Sequence, residues 1–177
     1  MCPTNAAMVL DFVRTQQHVL TDLIRDLVEA ESPSARPDTH DNVRRVLRLA
    51  LASAGYESRE TAGLDKPRHV FARPAKRPRR TPSQLVLGHY DTVWPVGTLT
   101  ERPFRIDGNV IHGPGSFDMK GGLAQLIVAL RTIRDLRLET PVQPVVFVNA
   151  DEEIGSRSST RYIRMLARHA SRALVLE

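Results

Sequence analysis

Two short apolar runs, Leu85-Val86-Leu87 and Val145-Val146-Phe147-Val148, each pass directly into a cluster of polar and acidic residues. An uninterrupted apolar run of this length reads as a strand buried on both faces, the situation of a sheet covered by helices on both sides. The flanking segments supply those helices. Val13, Leu20, Leu23, Ile24, Leu27 and Val28 recur at helical spacing and predict a helix over Phe12 to Ala30, closed by Ser32-Pro33. A second helix is expected with Asp38 or Thr39 as cap, Val43, Val46, Leu47, Leu49, Ala50 and Leu51 as its apolar stripe, and Gly55 as its stop. Strands are expected at Tyr56 to Thr61, His69 to Arg73 and Leu85 to Gly88, and Asp107-Gly108 marks a hairpin between Phe104 and Ile111. Helices over Met119 to Leu136 and Ser158 to Arg168 alternate with strands at Val145 to Asn149 and Ala173 to Leu176. Helices alternating with apolar strands describe a layered α/β domain on a largely parallel sheet.

A chain of 177 residues is one domain by default. Its net charge of +5 is carried almost entirely by arginine spread along the chain, with lysine only at positions 66, 76 and 120, so charge alone argues weakly for a nucleic-acid partner. Cys2 is the only cysteine, which excludes an intrachain disulfide and a thiolate zinc site. No apolar run approaches the roughly 18 residues of a membrane span, and the first residues lack the pattern of a secretory signal, so a cytoplasmic location is expected. The final residues, Ala173-Leu174-Val175-Leu176-Glu177, read as a buried strand. Natural ends usually fray in polar surface segments, and the expectation is therefore the front part of a longer protein.

Chemistry gathers where the apolar strands end. In Gly88-His89-Tyr90-Asp91-Thr92 the extended geometry turns His89 and Asp91 to the same side, and a carboxylate beside an imidazole fixes its tautomer, as a metal-binding histidine requires. A strand-end histidine with a hydrogen-bonded neighbour would look the same. Asn149-Ala150-Asp151-Glu152-Glu153-Ile154-Gly155 follows the other buried strand, at the end where open α/β sheets hold ligands. Its adjacent carboxylates suit a cation, or a solvated loop. Gly113 to Gly122 is a glycine-rich entry to a helix, but it lacks the order of a phosphate loop and places Asp118 where a phosphate would be repelled.

Jointly, GHYDTVWPVGTL, PFRIDGNVIHGPGSFDMKGG, VVFVNADEEIGSRSS and the final ALVLE resemble the zinc-dependent metallopeptidase family of glutamate carboxypeptidase, acetylornithine deacetylase and succinyl-diaminopimelate desuccinylase. The resemblance runs from about Leu23 to Glu177 and is nearest to the glutamate carboxypeptidase branch. It implies a three-layer α/β/α domain with a mostly parallel mixed sheet. It also implies that His89, Asp118 and Glu177 hold one zinc ion, that Asp118 bridges to a second held with Glu153, that Asp91 orients His89, and that Glu152 is the general base. Cobalt or manganese could substitute for zinc. A cis peptide at Asp118-Met119 is implied as well.

Under this resemblance residues 1–177 are the N-terminal part of the catalytic domain, truncated. The lid and dimerisation domain, and the C-terminal part with a further ligand histidine, have no counterpart in the sequence. The complete protein is expected to hydrolyse an amide and release a C-terminal amino acid, such as glutamate, from a peptide or N-acyl amino acid, and to form a homodimer. No nucleic-acid or membrane partner is expected. Two alternatives stay open: an inactive fragment of the peptidase fold, and a polyanion-binding module using the basic run Lys76 to Arg80. His112 reads as a hairpin residue near the cleft, while His18, His40, His69 and His169 have no motif context and are expected at the surface or at helix ends.

Overall fold

Along β-strands successive side chains face opposite ways, and the two apolar runs use both directions. Val86, Val146 and Val148 point into the main core, whereas Leu85, Val145 and Phe147 are buried toward the other face. The computed structural model describes residues 5–62, 67–76 and 81–177. Its elements are α1 (Asn5–Thr15), α2 (Gln17–Glu29), α3 (Asp41–Ser53), β1 (Tyr56–Ala62), β2 (Arg68–Pro74), β3 (Ser83–His89), the one-turn α4 (Thr98–Glu101), β4 (Arg105–Asp107), β5 (Val110–His112), α5 (Gly121–Asp135), β6 (Gln143–Asn149), α6 (Thr160–Ala167) and β7 (Ala170–Val175).

Five strands form a mixed sheet in the order β1-β2-β6-β3-β7. β3 is parallel to β6 and β7, while β2 is antiparallel to both β1 and β6, so four strands point one way and β2 the other. One face is covered by α2, α3 and α5, whose Leu27, Leu47, Leu51, Leu123 and Ile127 join Val70, Ala72, Val86, Val146 and Val148 in a single cluster. Each fully buried leucine, isoleucine or valine among them stabilises the fold by about 1.5–3 kcal/mol relative to exposure. On the opposite face Tyr162 of α6 meets the rings of Phe147 and His69 at 6.0 and 5.7 Å. The three-layer arrangement matches the expectation. Among the described residues no helix is long and apolar enough to cross a membrane.

Several local expectations are corrected. The first helix is two helices, because Gln16 leaves helical geometry after Thr15 turns its hydroxyl back onto the Phe12 carbonyl. α3 is not capped by Asp38 or Thr39; both lie in the short turn Pro37–Thr39, and His40 precedes the helix without a side-chain cap. β7 is not a buried strand. It is a sheet edge, with Leu174 at 44% and Val175 at 61% exposure. His40 and His69 are fully buried rather than at the surface, His40 bonded to the Pro33 carbonyl across the short turn before α3 and His69 held by Ala150 and Ser158 from far along the chain. Of the basic run, residues 77–80 lie outside the described residues, as does Cys2.

What positions the functional end is the pairing of β3 with β6 in register from Ser83 with Gln143 to His89 with Asn149. Both strands stop at the same level, and the Tyr90 N–H donates to the Asn149 carbonyl at 3.0 Å. The residues that follow each strand therefore emerge side by side.

Candidate metal centre

His89 closes β3 with its ring buried and its Nε2 turned to the cleft. Nδ1 donates to the backbone carbonyl of Asp91 at 3.0 Å, with the Asp91 carboxylate at 3.4 Å, so the proton is held on the inner nitrogen. Nε2 lies 3.0 Å from Asp118 Oδ1, 3.9 Å from Glu152 Oε2 and 4.0 Å from Glu177 Oε1. Two groups of three ligand atoms, His89 with Glu152 and Glu177 and His89 with Asp118 and Glu153, each have their atoms within 4.8 Å of one another. One imidazole nitrogen surrounded by carboxylate oxygens is a donor set that suits zinc.

The charges are consistent with a site that wants a cation. Burial works against a charged His89, yet the hydrogen bond and charge of Asp91, aided by Asp118, outweigh it and raise its pKa to about 9. Partial burial, reinforced by neighbouring carboxylates, lifts Glu152 and Glu153 above their ordinary values. A divalent ion would reverse this pattern, because metal ligands must be deprotonated.

Asp91 does more than face the histidine. It is fully buried, and its carboxylate accepts the Glu152 N–H at 3.1 Å, the Glu153 N–H at 3.3 Å and the Ser34 hydroxyl at 2.7 Å. One carboxylate thus ties the end of β3 to the acidic turn after β6.

Asp118 is delivered by the turn that precedes α5. Gly115 takes a left-handed conformation (φ 68°), Ser116–Lys120 form one wide turn, and the Asp118-Met119 peptide is cis, as the resemblance implies. Met119 is buried beneath β3, where its sulfur accepts the His89 N–H at 3.0 Å. Lys120 turns inward and donates to the Ala30 carbonyl at 3.0 Å, its pKa lowered to about 7 by burial. Glu177 arrives after β7, where the Leu176 N–H donates to the Leu87 carbonyl at 3.3 Å. The Leu176 carbonyl lies so close to Gly122 that any side chain there would collide with it.

All six expected site residues, His89, Asp91, Asp118, Glu152, Glu153 and Glu177, therefore meet at one end of the sheet. Sequence reading missed Ser34, whose serine in a loop carries no signal, and the roles of Met119, Lys120 and Gly122. The Gly121-Gly122 pair was the one visible hint, since paired glycines at a helix start mark close backbone approach.

Residues 85–176 match the sequence profile of Peptidase family M20/M25/M40, which is more than half the chain. The chain belongs to this family. Carboxypeptidase G2 of Pseudomonas sp. (strain RS-16) is 36% identical over 93 residues, covering 52% of this chain and 22% of that protein. Succinyl-diaminopimelate desuccinylase of Shewanella pealeana is 29% identical over 144 residues, covering 78% of this chain and 35% of that protein. The fold is similar to that of human carnosine dipeptidase 1, with a TM-score of 0.79 at 18% identity over 94% of this chain and 40% of that one. The chain thus spans well under half the length of each of these three proteins.

Proposed function

We propose that the complete protein is a zinc-dependent amidohydrolase that releases a C-terminal amino acid, such as glutamate, from a peptide or N-acyl amino acid. Residues 1–177 would be the N-terminal part of its catalytic domain, with a lid and dimerisation domain and the rest of the catalytic domain supplied by further chain. The observation that carries the reading is the convergence of Asp118, Glu152 and Glu177 within 4.0 Å of the cleft-facing nitrogen of His89. The M20 relatives, a carboxypeptidase and a desuccinylase among them, support amide cleavage as the shared chemistry.

In this reading His89, Asp118 and Glu177 hold one zinc ion, and Asp118 and Glu153 contribute to a second. Zinc supplies Lewis acidity, lowering the pKa of a water and stabilising negative charge on the amide oxygen. Glu152 takes the proton from the attacking water and returns it to the leaving nitrogen. Asp91 keeps the His89 proton on Nδ1, so that Nε2 presents its lone pair.

The test is hydrolysis of an N-acyl glutamate series by the full-length protein, with and without chelator. Release of free amino acid that chelation abolishes and zinc restores supports the proposal. Turnover unaffected by chelation would overturn it.

A further inference from the structure

Behind the acidic turn lies a second buried imidazole that the proposed chemistry does not use. His69 stands in β2, fully buried, packed against Phe147 and Tyr162 at ring distances of 5.6 and 5.7 Å. Its Nδ1 accepts the Ala150 N–H at 3.2 Å, and its Nε2 lies 3.1 Å from Ser158 Oγ. A ring nitrogen that accepts an N–H carries no proton, so in the neutral ring the proton sits on Nε2 and is donated to the serine. Burial keeps the ring neutral by lowering its pKa, against the pull of Asp151 and Asp91.

Ser158 passes the interaction on, donating its hydroxyl to Asp151 Oδ2 at 2.7 Å. The same oxygen accepts the N–H groups of Ser158 at 2.7 Å and Ser159 at 3.2 Å. The turn closes on itself as well, the Ser156 N–H donating to the Asp151 carbonyl at 2.7 Å. Immediately after Asp151 come Glu152 and Glu153, whose own N–H groups end on Asp91.

We propose that His69, Ser158 and Asp151 form a positioning relay that clamps the acidic turn from behind, so that Glu152 and Glu153 present their carboxylates to a divalent cation beside His89. The relay reaches from β2 across β6 to the start of α6, and joins at the turn with the Asp91 clamp from β3. This rests on the metal-centre reading above. The three residue types are those of a hydrolytic triad, yet they stand in another order. Serine lies between imidazole and carboxylate, and the imidazole donates to it rather than accepting its proton, so it lacks the histidine base of an activated nucleophile. All three are positioning residues, acting through Glu152 and Glu153. Groups of this kind behind metal ligands typically change metal affinity 10–100-fold when removed.

The test is zinc titration by calorimetry on this chain, with wild type, Glu153→Gln, Ser158→Ala, His69→Leu and His69→Gln, beside thermal unfolding of each metal-free protein. Ser158→Ala and His69→Leu should weaken zinc binding about tenfold at temperatures well below their unfolding midpoints, while His69→Gln, which keeps a donor and an acceptor, recovers most of it. If His69→Leu fails to fold, Ser158→Ala and His69→Gln carry the comparison. A lowered unfolding midpoint with zinc affinity unchanged in Ser158→Ala would make the relay merely structural and overturn the proposal. Wild-type binding that Glu153→Gln weakens, with the relay variants unchanged, would overturn this inference alone. No zinc binding by wild type would overturn the metal-centre reading and this one with it.

Discussion

Glu152 and Glu153 are neighbours of one type whose N–H groups rest on the same carboxylate, and only their proposed roles separate them. In the full-length protein Glu152→Gln should leave zinc content nearly intact and reduce turnover roughly 10²–10⁴-fold, the usual worth of a general base. Glu153→Gln should lower zinc content and turnover together, because a neutral amide is a poorer ligand. Metal analysis beside hydrolysis kinetics distinguishes them, and zinc loss confined to Glu152→Gln would reverse the two roles. At this scale the sequence was most informative about the residues that carry charge at strand ends. It was least informative about His40 and His69. The former donates to the Pro33 carbonyl at 2.8 Å, seven residues back through an irregular turn with no periodic pattern, and the latter meets Ser158 across 89 positions.

Those two histidines also set a pH dependence. Burial lowers both pKa values below the ordinary 6.5, so on acidification the unfolded chain takes up protons that the folded chain refuses. Stability from these groups is therefore full above 6.5 and is lost as pH falls below it. His89, raised to about 9 in the metal-free protein, behaves oppositely: its contribution is full below 6.5 and is lost as pH rises through 9. The thermal midpoint of the metal-free chain should thus pass through a maximum near pH 6.5 and fall on either side of it. A midpoint that rises steadily as pH drops through 6.5 would contradict the buried, neutral state of His40 and His69.

Among the elements, the start of α5 has the sharpest constraint. Alanine ordinarily stabilises a helix by about 1 kcal/mol relative to glycine. At Gly122 the added carbon would collide with the Leu176 carbonyl, and overpacking of that kind costs about 1–3 kcal/mol. The collision outweighs the propensity, so Gly122→Ala should lower stability to denaturant and, by displacing Glu177, weaken zinc binding. A more stable variant with unchanged affinity would show that the last segment does not depend on this contact. The alternation of elements was legible because buried strands are apolar throughout and amphipathic helices repeat at 3.6 residues. The breaks were not: Gln16 interrupts a continuous apolar pattern, and the wide turn Ser116–Lys120, non-helical at Asp118 and Met119, delays α5 to Gly121.

For the molecule as a whole, the sheet ends in an exposed strand. β7 pairs with β3 on one side, and Leu174 and Val175 project from it half-exposed or more. Unpaired strand edges with apolar side chains drive association. This chain of 19.8 kDa should therefore give a concentration-dependent mass in light scattering, which Val175→Lys reduces. A constant monomer mass at all concentrations would contradict that expectation. The apolar letters of Ala173 to Leu176 correctly marked a strand but not its exposure, because burial depends on what lies beside it in space.

The central claim is that His89 anchors a metal centre. It belongs to both candidate ligand groups, and it is the one imidazole in either. Zinc titration calorimetry of wild type and His89→Ala addresses this directly. The account predicts one tightly bound zinc ion per chain, with any second ion weaker, and loss of the tight site in His89→Ala. Two equally tight sites, or a tight site that survives His89→Ala, would contradict it.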